Sequence, residues 1–141
     1  MFLRVTCLLY LIIITFYDFR TGRIPNFITF GFFAIMLLAD IFTDSSRIPK
    51  HMLSAAFFFM VFFVTELITS GIGMGDIKLA SALGYGFGVF STSIILILSS
   101  IAGIAVFLIL KISKKAIMRI PFAPLVTAGY IISELFCRRI I

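Results

Sequence analysis

The feature that most restricts the fold of this chain is an uncharged, mostly apolar run from Leu79 to Leu110. The run has 32 residues, and as one straight α-helix it would be about 48 Å long. The hydrocarbon core of a bilayer is about 30 Å thick, so the run is too long for one untilted span and short for two. We therefore predict two short helices that turn between Gly88 and Ser93.

The composition of the whole chain is that of an integral membrane protein. Of 141 residues, 62% are hydrophobic, 18 are Phe and only 13% are charged, and the mean hydropathy is +1.21. A spanning helix needs about 20 mostly apolar residues. We predict an all-α membrane protein with one domain, residues 1–141, folded as a bundle of about six transmembrane helices. The expected spans are 2–18, 27–43, 51–70, 77–91, 92–110 and 121–137.

The basic residues lie in short stretches between these runs. In the six-span arrangement, seven of the 12 basic residues lie on one side, which includes Arg20, Arg23, Lys78 and the stretch 111–119. Cytoplasmic loops carry an excess of Lys and Arg. We therefore place this side in the cytoplasm, with the chain in the cell membrane. The same bias accounts for the net charge of +6 without nucleic acid as a partner.

The first span lacks the pattern of a cleaved signal peptide, and the cysteines lack the spacing of a metal site. The apolar stretch after Arg4 runs into residues 17–20 (YDFR), where a secretory signal would have small residues for cleavage, so we expect a retained span. Cys7 and Cys137 form no CxxC pair and are expected to be small core residues. We predict no metal and no cofactor.

Asp18 and Asp76 are the leading candidates for chemistry. Two spans separate them, so both fall on the cytoplasmic face, and a carboxylate at membrane depth is a functional candidate. If they approach closely they share a proton, so that one takes a proton from water while the other polarises a scissile carbonyl. The residues alone leave a structural alternative equally open. Asp18 would then cap a loop or pair with Arg20 or Arg23, and Asp76 would cap its helix or pair with Lys78.

Three motifs resemble those of the type IV prepilin peptidases. "YDFRTGRIPN" (17–26) resembles their first aspartate motif, and "GMGDIKL" (73–79) resembles their second, the GxGD motif of intramembrane aspartyl proteases. "RIPFAP" (119–124) is a third match. The resemblance implies that Asp18 and Asp76 are the catalytic pair of an aspartic endopeptidase. It also implies prepilin or pseudopilin substrates, which lose a short basic leader, cut after a glycine, at the cytoplasmic membrane face.

Residues beside Asp76 have predicted supporting roles. Gly73 and Gly75 either let a substrate strand approach Asp76 or form an ordinary turn. Lys78 either orients a carboxylate or substrate carbonyl, or extends to lipid phosphate. Glu66, near the same membrane face, is a candidate third acid.

Other residues are expected to shape the path of the chain. Pro25 should open the second helix and Asn26 should cap it. Pro121 either leaves backbone groups free for substrate or simply starts the last helix. His51 is expected on the opposite side of the membrane.

Two other functions stay open: a proton-coupled transporter that uses Asp18 and Asp76 as a relay, and a non-catalytic membrane assembly factor. Longer bacterial prepilin peptidases join the protease to an N-methyltransferase, and many carry an N-terminal region with two CxxC pairs. Here Asp18 follows a single span, and Cys7 and Cys137 are the only cysteines. We therefore expect a short form that cleaves without methylating.

Overall fold

A computed structural model describes residues 2–22, 24–112 and 122–140, with the side chains of 6–135 inside those ranges. Within them the regular structure is helical and contains no strand, which confirms the predicted all-α class. In chain order the elements are α1 (Phe2–Thr21), α2 (Asn26–Thr43), a 3₁₀ turn (Ser45–Arg47), α3 (Ile48–Thr69), α4 (Met74–Ile112) and α5 (Phe122–Ile140).

Helix α4 is interrupted at Gly88. This residue has φ 74° and ψ 175°, a conformation outside the helical region that glycine adopts readily because it lacks Cβ. The Thr92 hydroxyl donates to the carbonyl of Leu83 at 2.9 Å, although nine residues of straight helix would separate them by about 13 Å along the axis. The helix therefore bends back into a first arm (74–87) and a second arm (89–112), and the predicted interruption is confirmed.

The first arm of α4 packs closely on α3, and the second arm packs closely on α5. In the first arm, a Cβ on Gly84 would lie 3.0 Å from the Ser54 carbonyl oxygen of α3. In the second arm, a Cβ on Gly103 would lie 3.1 Å from Leu125 Cδ1 of α5. Leu125 is in the first turn of α5, so the second arm returns past the beginning of that helix.

Helix α1 lies between α5 and α2. The hydroxyls of Thr15 and Thr127 are 2.7 Å apart, which ties α1 to α5. On another side of α1, the Tyr10 hydroxyl accepts a hydrogen bond from the backbone N–H of Phe32 at 3.0 Å, and the two rings stack. Cys7 is buried in this core, as predicted, whereas the side chain of Cys137 lies outside the described residues.

The outer surface of the bundle is apolar. Large side chains such as Phe27, Phe42 and Phe90 are at least 80% exposed, which is the reverse of a water-soluble exterior. Three helical stretches are long and apolar enough to cross a membrane: Asn26–Thr43, Ser45–Thr69 and Met74–Ile112. Together these features describe a multi-pass membrane protein; the number of spans stays a prediction.

The connection between α2 and α3 is built by polar contacts. His51 Nδ1 lies 2.7 Å from the buried carboxylate of Asp40, which joins the two helices at the end of the bundle opposite Asp18. Asp44 accepts from Ser46 and Arg47. Hydrogen bonds from the Ser46 hydroxyl and amide, followed by the smaller effect of Arg47, hold the pKa of the Asp44 carboxyl below its usual value.

The close contact between α5 and the second arm of α4 can be tested at Gly129. A Cβ there would lie 2.6 Å from the Ile95 carbonyl oxygen and still closer to Ser99 Oγ. Overpacking of this kind costs about 1–3 kcal/mol, so Gly129→Ala should lower the thermal unfolding midpoint in detergent by several degrees. The control is Gly31→Ala, where a Cβ would be 3.9 Å from the Tyr10 hydroxyl. Equal midpoints for the two variants would contradict this packing.

Candidate active site

Asp18 lies in the last turn of α1 and is only 6% exposed. Its Oδ2 accepts a hydrogen bond from the backbone N–H of Ala123 at 3.0 Å. Ala123 is the second residue of α5, where helix N–H groups have no partner within the helix and negative charge is stabilised. The carboxylate therefore caps α5, and part of the third motif, 119–124, lies directly against the first.

Asp76 lies in the first turn of α4. Its backbone N–H donates to the Gly73 carbonyl at 2.9 Å, and a Cβ on Gly73 would lie 3.5 Å from Asp76 Oδ2. The Asp76 carboxylate lies at the N-terminal end of its own helix, as the Asp18 carboxylate lies at that of α5. The N-terminal end of a helix stabilises a negative charge. The short turn 70–73 between α3 and α4 therefore sets its position.

The residues that follow Asp18 in the chain pack against the beginning of α4. A Cβ on Gly75 would lie 3.0 Å from Ile24 Cβ and 3.5 Å from the Ile24 backbone nitrogen. One turn further along α4, Lys78 Nζ donates to Asn26 Oδ1 at 2.9 Å. Segment 24–26 thus connects the two aspartate motifs and places both carboxylates at one end of the bundle.

The helices that carry the two aspartates are not in backbone contact. Among the described residues, no Cα atom of α1 lies within 8 Å of a Cα atom of α4, so the Cα atoms of Asp18 and Asp76 are more than 8 Å apart. Any approach of the two carboxyl groups is therefore made by the side chains and not by close packing of α1 on α4.

The structure corrects the expected role of Asn26. Pro25 is the N-cap residue of α2 and makes no side-chain hydrogen bond there, so the predicted cap by Asn26 is wrong. Asn26 is already the first helical residue, and its side chain accepts from Lys78 instead. Neither predicted role of Lys78 included this bond to Asn26, and both roles stay predictions. Pro121 and Arg23 lie outside the described residues.

Glu66 has a contact that the sequence did not indicate. Its Oε2 accepts a hydrogen bond from the backbone N–H of Ile72 at 2.5 Å, and its backbone carbonyl accepts from the N–H of Ser70 at 2.7 Å. Glu66 thus binds two residues of the turn that leads to Asp76. Ala123 was also missed, because a backbone donor has no side-chain signature in a sequence.

Among the residues that the structure describes, no three His, Cys, Asp or Glu side chains lie together in a group that could hold a metal ion. The Asp18 carboxylate accepts from a backbone N–H, and the Lys78 ammonium and the Asn26 amide bind each other at the same end of the bundle.

Comparison with known proteins places the chain among its relatives. The model of the type IV leader peptidase family matches residues 5–108, a range that contains both Asp18 and Asp76. The chain belongs to the type IV leader peptidase family. This result confirms the resemblance inferred from the motifs, two of which fall inside the matched range.

One curated relative in this family is the prepilin leader peptidase/N-methyltransferase of Bacillus subtilis (strain 168). It is 31% identical to this chain over 133 residues, an alignment that covers 89% of this chain and 52% of the relative. The chain thus spans about half the length of this leader peptidase. No solved structure gave a significant match.

Proposed function

We propose that this chain is an aspartic endopeptidase that removes the short basic leader from prepilin-like substrates, with Asp18 and Asp76 as its catalytic residues. The observation that carries the proposal is the contact of segment 24–26 with the beginning of α4. Through it, the two family motifs meet at one end of the bundle, each with its carboxyl group at a helix N-terminus.

The proposed chemistry is hydrolysis of one peptide bond. One carboxylate takes a proton from water, and the water oxygen attacks the scissile carbonyl carbon while the other, protonated carboxyl donates to the carbonyl oxygen. When the tetrahedral intermediate collapses, the C–N bond breaks and the leaving nitrogen takes a proton. The products are a carboxyl terminus on the leader and an amino terminus on the mature protein.

The location of the site suits a substrate that is itself held in the membrane. A prepilin-like protein has an apolar helix directly after its leader, and the exposed apolar surface of this bundle would let that helix pack beside it in the bilayer. The end of the substrate helix would then lie at the depth of Asp18 and Asp76. Holding both reactants in one orientation lowers the entropy that must be lost when they react.

Co-expression with a candidate prepilin or pseudopilin tests the proposal. We expect a mature form that migrates faster on a gel when this chain is present and the unprocessed form when it is absent. An unprocessed substrate, with both proteins inserted in the membrane, would count against the peptidase and favour the transporter or the assembly factor.

We also propose that the site faces the cytoplasm, which predicts a labelling pattern. In a background without Cys7 and Cys137, a cysteine replacing the exposed Thr21 should react with a membrane-impermeant maleimide only from the cytoplasmic side. One replacing the exposed Ser45 should react only from the outside, because α2 separates the two positions. Labelling of the Thr21 variant in intact cells would contradict the proposed orientation.

A further inference from the structure

The bond between Glu66 and Ile72 belongs to neither aspartate, yet it lies in the turn that carries Asp76. Glu66 is in the last turn of α3, and the turn 70–73 follows directly. The Glu66 side chain accepts from the Ile72 N–H at 2.5 Å, and its carbonyl oxygen accepts from the Ser70 N–H at 2.7 Å. The backbone bond is the i→i−4 bond that ends α3, so the side-chain bond to Ile72 is the restraint specific to Glu66.

The turn needs such a restraint because its conformation is not one that the local residues prefer. Ser70 has φ 48°, in the left-handed region, where a residue with a Cβ is uncommon and costs free energy. A backbone N–H without a partner costs free energy, and the Glu66 side-chain oxygen supplies that partner for Ile72. The contact with Glu66 thus offsets part of the preference of this segment for other conformations.

A short series of contacts connects this restraint to the catalytic carboxyl group. Ile72 is bonded to Glu66, and the next residue is Gly73, whose carbonyl accepts from the N–H groups of Asp76 and Ile77 at 2.9 and 3.3 Å. We propose that Glu66 is a positioning residue that fixes the turn 70–73 and, through it, the Asp76 carboxyl group. This inference rests on the proposed peptidase function, in which the location of Asp76 determines the rate.

The proposal differs from a third-acid role in what it requires of Glu66. A positioning residue must accept a hydrogen bond, whereas an acid or base must exchange a proton. Glu66→Gln keeps an acceptor oxygen of the same reach but cannot exchange the proton. Glu66→Ala removes both properties, so the two variants distinguish the roles.

The kinetic test compares these variants with wild type on a purified prepilin-like substrate in lipid bilayers. Glu66→Ala should lower kcat by about tenfold or more with little change in KM, because a small displacement of a catalytic group reduces the rate steeply. Glu66→Gln should stay within about threefold of wild type. The matched control is Thr65→Val, because the Thr65 hydroxyl donates to the Val61 carbonyl within α3. Equal losses in the Ala and Gln variants, or no loss in Ala, would overturn the proposal.

Hydrogen exchange supplies a readout that does not depend on cleavage. In the Glu66→Ala variant, amides of residues 70–74 should exchange faster than in wild type, while those of 77–84 in the first arm of α4 should not change. Unchanged exchange at 70–74 would overturn the positioning role. If the wild-type chain cleaves no substrate, the proposed function fails, and the exchange comparison still decides whether Glu66 holds the turn.

Discussion

Asp18→Asn and Asp76→Asn are each expected to abolish leader removal, lowering the rate of cleavage by about a thousandfold or more. The amide has nearly the shape of the carboxyl group but cannot exchange a proton with water or with the substrate carbonyl. Asn at position 18 still has an oxygen that can accept from the Ala123 N–H. The cap on α5 should therefore persist, and the loss should be one of chemistry rather than folding.

Single-turnover cleavage of a prepilin-like substrate, with equal amounts of inserted protein, measures this loss. Asp44→Asn is the matched control, because Asp44 is a carboxylate in the connection between α2 and α3, at the other end of the bundle. That variant should cleave at the wild-type rate. Cleavage within about tenfold of wild type by either catalytic-site variant would remove that aspartate from the mechanism.

Gly75→Val should produce the second-largest loss, about a hundredfold in kcat/KM. A Cβ at this position would already lie 3.0 Å from Ile24 Cβ, and the two methyl groups of Val extend beyond it. The beginning of α4 must then move away from segment 24–26, which displaces Asp76 relative to Asp18. Gly75→Ala needs a shift of only a few tenths of an ångström, so its loss should be much smaller.

The control for this prediction must be a glycine outside the close contacts. Gly84 is unsuitable, since a Cβ there would lie 2.7 Å from Phe58 Cδ2 and 3.0 Å from a carbonyl oxygen. Gly31→Val is better placed, because the nearest atom to its Cβ is 3.9 Å away. A Gly75→Val variant as active as the Gly31→Val variant would show that the contact with Ile24 does not position the site.

The sequence predicts the fold where one physical constraint acts over many residues. The length of the run from Leu79 to Leu110 is incompatible with one straight span, so a break was required, and Gly88 is the glycine that supplies it. The all-α class followed from the same apolar runs. The motif residues then indicated the family, and the comparison over residues 5–108 confirmed it.

Contacts between distant or backbone groups could not be predicted in this way. The bond from Lys78 to Asn26 joins residues 52 positions apart, and nothing in either local pattern indicates the other. The prediction for Asn26 was wrong because the helix begins one residue earlier than a capping role requires. The partner of Asp18 is a backbone N–H of Ala123, a group that every residue except proline has.

The separation of α1 and α4 is a further result that the sequence did not indicate. Topology required only that Asp18 and Asp76 lie on one face, and contacts of segment 24–26 bring them to one end of the bundle. In the part of the chain that the structure describes, no Cα atoms of these two helices lie within 8 Å of each other. In the proposed catalysis, the two side chains therefore have to meet at the water and the scissile carbonyl without close packing of their helices.

Mass spectrometry of a prepilin-like substrate incubated with the purified chain in lipid bilayers tests the central claim most directly. We expect two products from a single cut, after the glycine that ends the leader, and intact substrate when Asp76→Asn replaces the wild-type chain. Intact substrate after prolonged incubation with a correctly inserted wild-type chain would contradict the account, and so would the same two products from a chain lacking both carboxylates.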